Sequence, residues 1–259
     1  MNYPVLAYHK VSTQWELSFT MLYPKQFERQ MRYLAKKGYI GKSLKEYLAN
    51  PQDNYFVITF DDAYESVYKN AFPLLQELGF TASIFVICNY MGKNNTWDFT
   101  PGKIYSRHMD KESILKLHHA GWEIGSHGLD HLVITSMSSE EAMNDLQESK
   151  AILEDLVGED VESFCFPFGN YTKEIVEKAK KAAYKNLVGY TERSRYGVIK
   201  RSSVYRLVDN KYSVLRKIQQ GSSSMFFAHI KEAFFHSFSL LSRMKQKVSS
   251  KKNIDPDHL

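Results

Sequence analysis

Residues 55–60 read Tyr-Phe-Val-Ile-Thr-Phe, a run of strand length that is apolar on both faces. Side chains alternate along an extended segment, so such a strand has to be covered from two sides. Helices packed over a parallel sheet meet that requirement. Residues 82–87 (ASIFVI) repeat the pattern, and shorter strand-like runs occur at 3–8, 122–125, 161–166, 186–190 and 203–208. Helical segments lie between them at 25–37, 44–48, 64–78, 110–120, 138–156 and 172–183, with Pro73 as a kink or break in the third. Residues 89–108, with Gly, Asn, Pro and Trp97, read as a long loop. Strands alternating with helices predict an α/β fold of seven or eight parallel strands, enough for a barrel, complete or not.

The chain has 259 residues, which suits one large α/β domain, or one domain with a tail. Its two cysteines, Cys88 and Cys165, both sit in apolar runs and are too few for a disulfide framework or a zinc-thiolate site. Buried free thiols are expected, compatible with a reducing compartment. The opening MNYPVLAYHKVS lacks the parts of a secretory leader, and no apolar stretch approaches a membrane span. A cytoplasmic protein, peripheral at most to the inner membrane, is therefore expected. The net charge of +5 is uneven: residues 211–252 carry nine Lys/Arg against one acid. We divide the chain into residues 1–210, a catalytic domain, and 211–259, a basic amphipathic helical tail. Within 213–248 the apolar residues from Phe227 to Val248 recur at helical spacing. That pattern suits either a membrane surface or packing against the barrel. Charge confined to one segment argues against a nucleic-acid partner.

Three segments that follow strands hold most of the chemistry-bearing residues, and parallel β/α folds place their sites at those strand ends. Thr59-Phe60-Asp61-Asp62 sets two carboxylates side by side. They face opposite ways while the chain stays extended, so one can bind a metal while the other meets a substrate. A turn or helix cap would use the same residues. His127-Gly-Leu-Asp-His131 spaces two imidazoles so that they converge on one ion if the loop turns. Two His and one carboxylate leave coordination positions open for water and substrate. In Phe164-Cys-Phe-Pro-Phe-Gly169, Pro and Gly turn the backbone sharply, which can aim an N–H into a cleft.

The order of these three motifs, with Asn95-Thr-Trp-Asp98 and Gly121-Trp-Glu-Ile-Gly-Ser-His127, resembles the polysaccharide deacetylases, the NodB-homology group or carbohydrate esterase family 4. The resemblance covers residues 3–208 and implies a distorted (β/α) barrel, here followed by a C-terminal amphipathic helix. It implies Asp61 as general base, and Asp62, His127 and His131 as ligands of a divalent metal, usually Zn2+, although Co2+ and Ni2+ also suit such donors. Phe168 would offer its backbone N–H to the oxyanion. The closing Leu-x-His motif of the family has only a poor counterpart, Ala228-His229, whereas Val5-Leu-Ala-Tyr-His9 opens the chain. That order resembles the circularly permuted branch exemplified by poly-N-acetylglucosamine deacetylases, and it makes His9 the general acid. The family's arginine beside the third motif is replaced by Cys165 and Phe166, and Arg206 is the expected substitute. Gly128 stands where the family carries Ser or Thr.

The function expected from this resemblance is metal-dependent removal of an N-acyl group from an amino sugar of a cell-envelope glycan or its lipid-linked precursor. A catalytically idle carbohydrate-binding barrel is the alternative. The sequence carries no expectation about oligomeric state.

Overall fold

The computed structural model describes residues 3–14, 18, 20–98, 105–190 and 196–220. The chain opens with β1 (Val5–Tyr8), a short parallel pair β2 (Lys10–Val11) and β3 (Met21–Leu22), and α1 (Pro24–Lys36). Then come β4 (Ile40–Lys42), α2 (Leu44–Ala49) and β5 (Tyr55–Phe60). The helix expected over 64–78 is two, α3 (Glu65–Asn70) and α4 (Phe72–Glu77). Pro73 lacks an N–H and is tolerated only near the start of a helix, so the break falls just before it.

The remaining core elements are β6 (Ser83–Val86), α5 (Lys111–His119), β7 (Glu123–Ser126), α6 (Ser139–Val157), β8 (Ser163–Cys165), α7 (Lys173–Lys181) and β9 (Asn186–Gly189). α6 is delimited as its sequence predicts. Ser138 and Glu141 form a reciprocal capping box, and Gly158 ends the helix at φ 74°. Two short strands, β10 (Ile199–Lys200) and β11 (Ser202–Ser203), precede α8 (Lys211–Gln220).

All strand pairs are parallel, in the order β10-β9-β8-β7-β6-β5-β1-β11, with β4 beside the first half of β5. The two ends of this ladder, β10 and β11, are joined by one residue, Arg201. Residues 199–203 therefore pair with β9 on one side and β1 on the other, which closes a ring of seven strands.

Period-two alternation sorts the barrel's contents. Val5, Val57, Phe85, Cys165, Val188 and Ile199 form an inner cluster, with Leu44 of α2 packed against it. Phe56, Ile58 and Phe60 face the other way, into the larger core under the helices, where Phe60 stacks on Trp122 at 5.7 Å. At the N-terminal ends of the strands the buried Glu123 carboxylate accepts from Ser83 Oγ and Ser163 Oγ, each at 2.5 Å, and from the Lys45 N–H at 2.9 Å. This polar plug leaves the C-terminal end of the barrel as the open one.

The strand expected at 203–208 lies instead at 199–203. Beyond it the backbone turns: Asp209 N–H donates to the Tyr205 carbonyl at 3.0 Å, and Tyr205 N–H donates to the Asp209 carboxylate at 2.7 Å. The apolar pair Leu207 and Val208 marks a turn and not a strand. α8, the start of the segment expected as a tail, lies on α1 and β1 and buries Val214 and Ile218 in the main core. The remainder of that segment, from 221 onward, lies outside the described residues, and with it most of the amphipathic pattern of 213–248. Among the described residues no helix is long and apolar enough to cross a membrane. Both cysteines are free and buried, as expected.

Gly125, at the middle of β7, is required by space. A Cβ there would lie 2.6 Å from the Phe85 ring and 3.0 Å from the Ser163 carbonyl oxygen. Gly125→Ala is expected to lower stability by ~1–3 kcal/mol, the usual cost of overpacking, seen as a lower urea midpoint. Adding Phe85→Leu should recover part of the loss.

Candidate active site

The inward rows of the barrel continue into the site. Val57, Thr59 and Asp61 share one face of β5 and its exit. Glu123, Gly125 and His127 do so on β7, Ser163 and Cys165 on β8, and Ile199 and Arg201 on the closing strand. The same two-residue step that packs the interior delivers a carboxylate, an imidazole and a guanidinium to its open end.

Asp61 is 1% exposed and gripped from several sides. Arg201 Nη1 and Nη2 donate to its two oxygens at 2.7 and 2.9 Å, and the Tyr190 hydroxyl donates to Oδ2. Arg201 also donates to Thr59 Oγ1 at 3.1 Å and Cys165 Sγ at 3.0 Å, and its plane lies over the Tyr190 ring at 4.4 Å. Burial alone would raise the Asp61 carboxyl. The charge and hydrogen bonds of Arg201, aided by His127 and His9, outweigh it and hold Asp61 well below the usual carboxylate range. Asp61 is therefore an ionised acceptor at neutral pH. His9, at the exit of β1, sets Nε2 3.9 Å from Asp61 Oδ2 and stacks on Tyr190.

The extended chain ends at Asp61. Asp62 and Ala63 have φ of 68° and 50°, and this left-handed step swings the second carboxylate to the same site. Asp62 Oδ1 lies 3.5 Å from His127 Nε2 and 3.4 Å from His131 Nε2. It is buried and accepts no hydrogen bond among the described residues. Burial, with the neighbouring Asp61 charge, pushes the Asp62 carboxyl up, while burial, followed by His127, pushes His131 well down. A buried carboxylate facing two neutral imidazoles fits a divalent cation, whose charge would offset the cost of desolvating the oxygen. One further observation supports the fit. His127 Nδ1–H donates to the Cys165 carbonyl at 2.7 Å, which leaves Nε2 as the free lone pair facing Asp62.

The second motif differs at Gly128, and the fold supplies the reason. Gly128 has φ 79°, and a Cβ there would sit 2.8 Å from Asp145 Oδ1. Asp145, reaching up from α6, accepts from the Leu129 N–H at 3.1 Å. Its carboxylate thus supports the loop from beneath, in space that a side chain at 128 would take. His131 (φ 54°) is then clamped between Trp97 (ring centroids 3.9 Å) and Phe168 (4.5 Å). Of the six non-glycine residues with positive φ among those described, Asp62, Ala63, His131 and Phe168 lie here, so backbone strain is concentrated at the site.

The structure thus brings together Asp61, Asp62, His9, His127, His131 and Phe168. It does not place Arg206 with them. The Arg206 guanidinium lies over the Tyr23 ring at 5.7 Å, and Arg201 takes the position expected for it. The reason is the strand shift, because residue 201 continues the inward row from Ile199 while 206 lies in the following turn. Tyr190 and His108 also belong to the site and were not expected from the sequence. His108 Nδ1–H donates to the Asp62 carbonyl at 2.5 Å, and its Nε2 accepts from Trp97 Nε1–H at 3.4 Å. The period-two step through 199 and 201 was the available signal for Arg201. No local pattern marks Tyr190 or His108.

Comparison with known proteins bears on the family and the fold. The chain is 27% identical over 188 residues to YxkH of Bacillus subtilis, covering 70% of this chain and 62% of that one. It is 25% identical over 174 residues to a poly-beta-1,6-N-acetyl-D-glucosamine N-deacetylase of Staphylococcus aureus, covering 62% of this chain and 58% of that one. The chain thus spans about three-fifths of the length of these relatives. The fold is that of the Streptococcus pyogenes deacetylase PplD, solved in complex with acetate (TM-score 0.72, 18% identity, 84% of this chain and 98% of that one). The sequence pattern of the polysaccharide deacetylases matches residues 49–187, more than half of the sequence, and the chain belongs to that family.

Proposed function

We propose that the protein is a metal-dependent hydrolase that removes an N-acyl group, in our reading N-acetyl, from an amino sugar of a cell-envelope glycan or its lipid-linked precursor. One observation carries this reading. A buried donor set of Asp62, His127 and His131 lies beside an ionised Asp61 that also faces His9. A barrel that only bound sugar would have no use for a buried carboxylate facing two imidazoles next to a second carboxylate locked in its charged form.

A divalent cation at Asp62, His127 and His131, in our reading zinc, would supply Lewis-acid polarisation of the acyl carbonyl and a water acidified toward neutral pH. Asp61 accepts the proton of the attacking water, with Arg201 and Tyr190 fixing which lone pairs face it. The backbone N–H of Phe168 is the donor assigned to the oxyanion, and one such donor is worth ~3 kcal/mol. Trp97 and the Phe168 ring fix His131 and exclude water around it. Burial draws the His9 imidazole down to about 4, with Asp61 opposing and Arg201 adding to the shift. At neutral pH His9 therefore starts without a second proton. The proton it gives to the departing nitrogen is the one that Asp61 takes from water; the 3.9 Å between His9 Nε2 and Asp61 Oδ2 is too long for direct transfer, and one water between them would carry it. The C–N bond then breaks to leave a carboxylic acid and a free amine. In this reading the strand that carries the acid opens the chain, as in the permuted branch.

Amine release from N-acetylated sugars, free, nucleotide-linked and polyprenyl-phosphate-linked, with and without a chelator, tests the proposal. Chelator-sensitive release is expected. Bound metal with no release from any of them would favour the binding barrel. Asp61→Asn should cut kcat by roughly 10²–10⁴, the usual contribution of a positioned base, and keep the metal. Asp62→Ala and His127→Ala should lose both metal and activity.

Arg201 gives a prediction of defined sign. A base works deprotonated, so activity is lost as pH falls through the Asp61 pKa. Arg201 holds that pKa down. Arg201→Met should therefore move the acid limb of kcat/KM to higher pH, and Arg201→Lys should move it less. Circular dichroism separates this shift from a loss of fold.

A further inference from the structure

The turn after β11 exposes apolar side chains on a rigid support. Leu207 is 70% exposed and Val208 40%. Asp209 ties the turn together by accepting from Tyr205 N–H (2.7 Å), Ser213 Oγ (3.1 Å) and Lys217 Nζ (2.6 Å). From below, Gln26 Nε2 donates to the carbonyls of Arg206 and Asp209 at 2.9 and 3.0 Å, and Gln30 Nε2 donates to the same Asp209 carbonyl at 3.0 Å. A turn held at so many points keeps Leu207 and Val208 pointing outward, and they cannot fold back onto the core.

Two exposed tyrosines flank this tip, Tyr23 at 40% and Tyr212 at 57%. Each lies beneath a cation, Arg206 over Tyr23 at 5.7 Å and Lys211 over Tyr212 at 5.0 Å. Residues 206–217 carry Arg206, Lys211, Arg216 and Lys217 against Asp209 alone, whose carboxylate Lys217 already occupies. The result is an aliphatic tip, an aromatic margin and a positive surround.

The position matters as much as the composition. The turn leaves the C-terminal end of β11, which runs parallel to β1, and His9 follows directly on β1. Leu132, next to His131, is 39% exposed at the same end of the barrel. The apolar tip and the mouth of the site therefore face the same side.

We propose that this rim docks on an anionic lipid bilayer, with Leu207 and Val208 entering the headgroup boundary and Lys211 and Arg216 contacting acidic headgroups. A sugar ring would call for aromatic faces alone, whereas exposed aliphatic side chains within a cationic margin match a lipid interface. Docking in this pose sets the open end of the barrel against the membrane, where the amino sugar of a lipid-linked precursor would lie. That last step rests on the proposed reaction, but the docking does not.

The test is co-sedimentation of the full chain with vesicles of phosphatidylglycerol and phosphatidylethanolamine, and with vesicles of phosphatidylcholine alone. Binding to the anionic vesicles that weakens with salt is expected, with little binding to the neutral ones. The double variant Leu207→Ser, Val208→Ser should partition at least tenfold less, with an unchanged melting temperature and unchanged turnover of any soluble N-acetylated sugar. Asp61→Asn should bind like the unaltered chain, which separates docking from catalysis. Equal binding by the double variant would overturn the proposal and place any membrane contact elsewhere on the chain. Absence of binding by the unaltered chain would also overturn it. Self-association that the double variant abolishes would reassign the rim to a second copy.

Discussion

A guanidinium and a carboxylate, both withdrawn from water, meet inside the barrel at Arg201 and Asp61. Neither charge would be tolerable there alone, because an unpaired buried ion costs several kcal/mol. The surroundings are shaped to that pair. Thr59 and Cys165 accept the other two Nη protons, and Phe85 and Tyr190 offer their ring faces, while the buried Nε–H has no acceptor among the described residues. Tyr190 adds a third donor to the carboxylate. The second charge problem, Asp62, has no such internal solution, and that contrast separates the two adjacent aspartates. One is neutralised by the protein, and the other belongs with His127 and His131 to a buried group that could hold a metal ion.

Much of this was legible in the sequence. The apolar runs located six of the seven barrel strands because a strand covered on both sides leaves an unmistakable composition. The strand ends singled out Asp61, Asp62, His127 and His131 as candidates, and the resemblance of the three motifs to the polysaccharide deacetylases gave them their expected roles. The closing strand was misplaced by its neighbours. Ile199-Lys-Arg-Ser-Ser has little apolar character, since it is short and carries an inward charge, while Leu207-Val208 is apolar and lies in a turn. The error moved the expected guanidinium from residue 201 to 206. Contacts such as Tyr190 on Asp61 or His108 under Asp62 link positions far apart in the chain, and no local pattern encodes them.

The departure at Gly128 illustrates a substitution of means. A hydroxyl after the first histidine is one way to fix the loop. Here a carboxylate from α6 takes the load, and the backbone must drop its side chain to admit it. Burial lifts Asp145 to about 6, a sign that its environment is dry and that its hydrogen bond to Leu129 matters.

The barrel's closure joins the two extremes of the described domain, with Leu6 paired to Ser202 and Ala7 to Ser203. Contacts so far apart in sequence form late and slowly. As the chain leaves the ribosome, Asp62, His127 and His131 are made before residue 201, so these three side chains exist while the barrel is still an open sheet. Asp61 gains its arginine only when the last strand arrives. Synthesis therefore imposes an order on the site: Asp62, His127 and His131 come first, and Asp61 is paired only with the final seam. An incomplete chain would carry Asp61 without the arginine that neutralises it, a buried charge with no partner until the last seam closes.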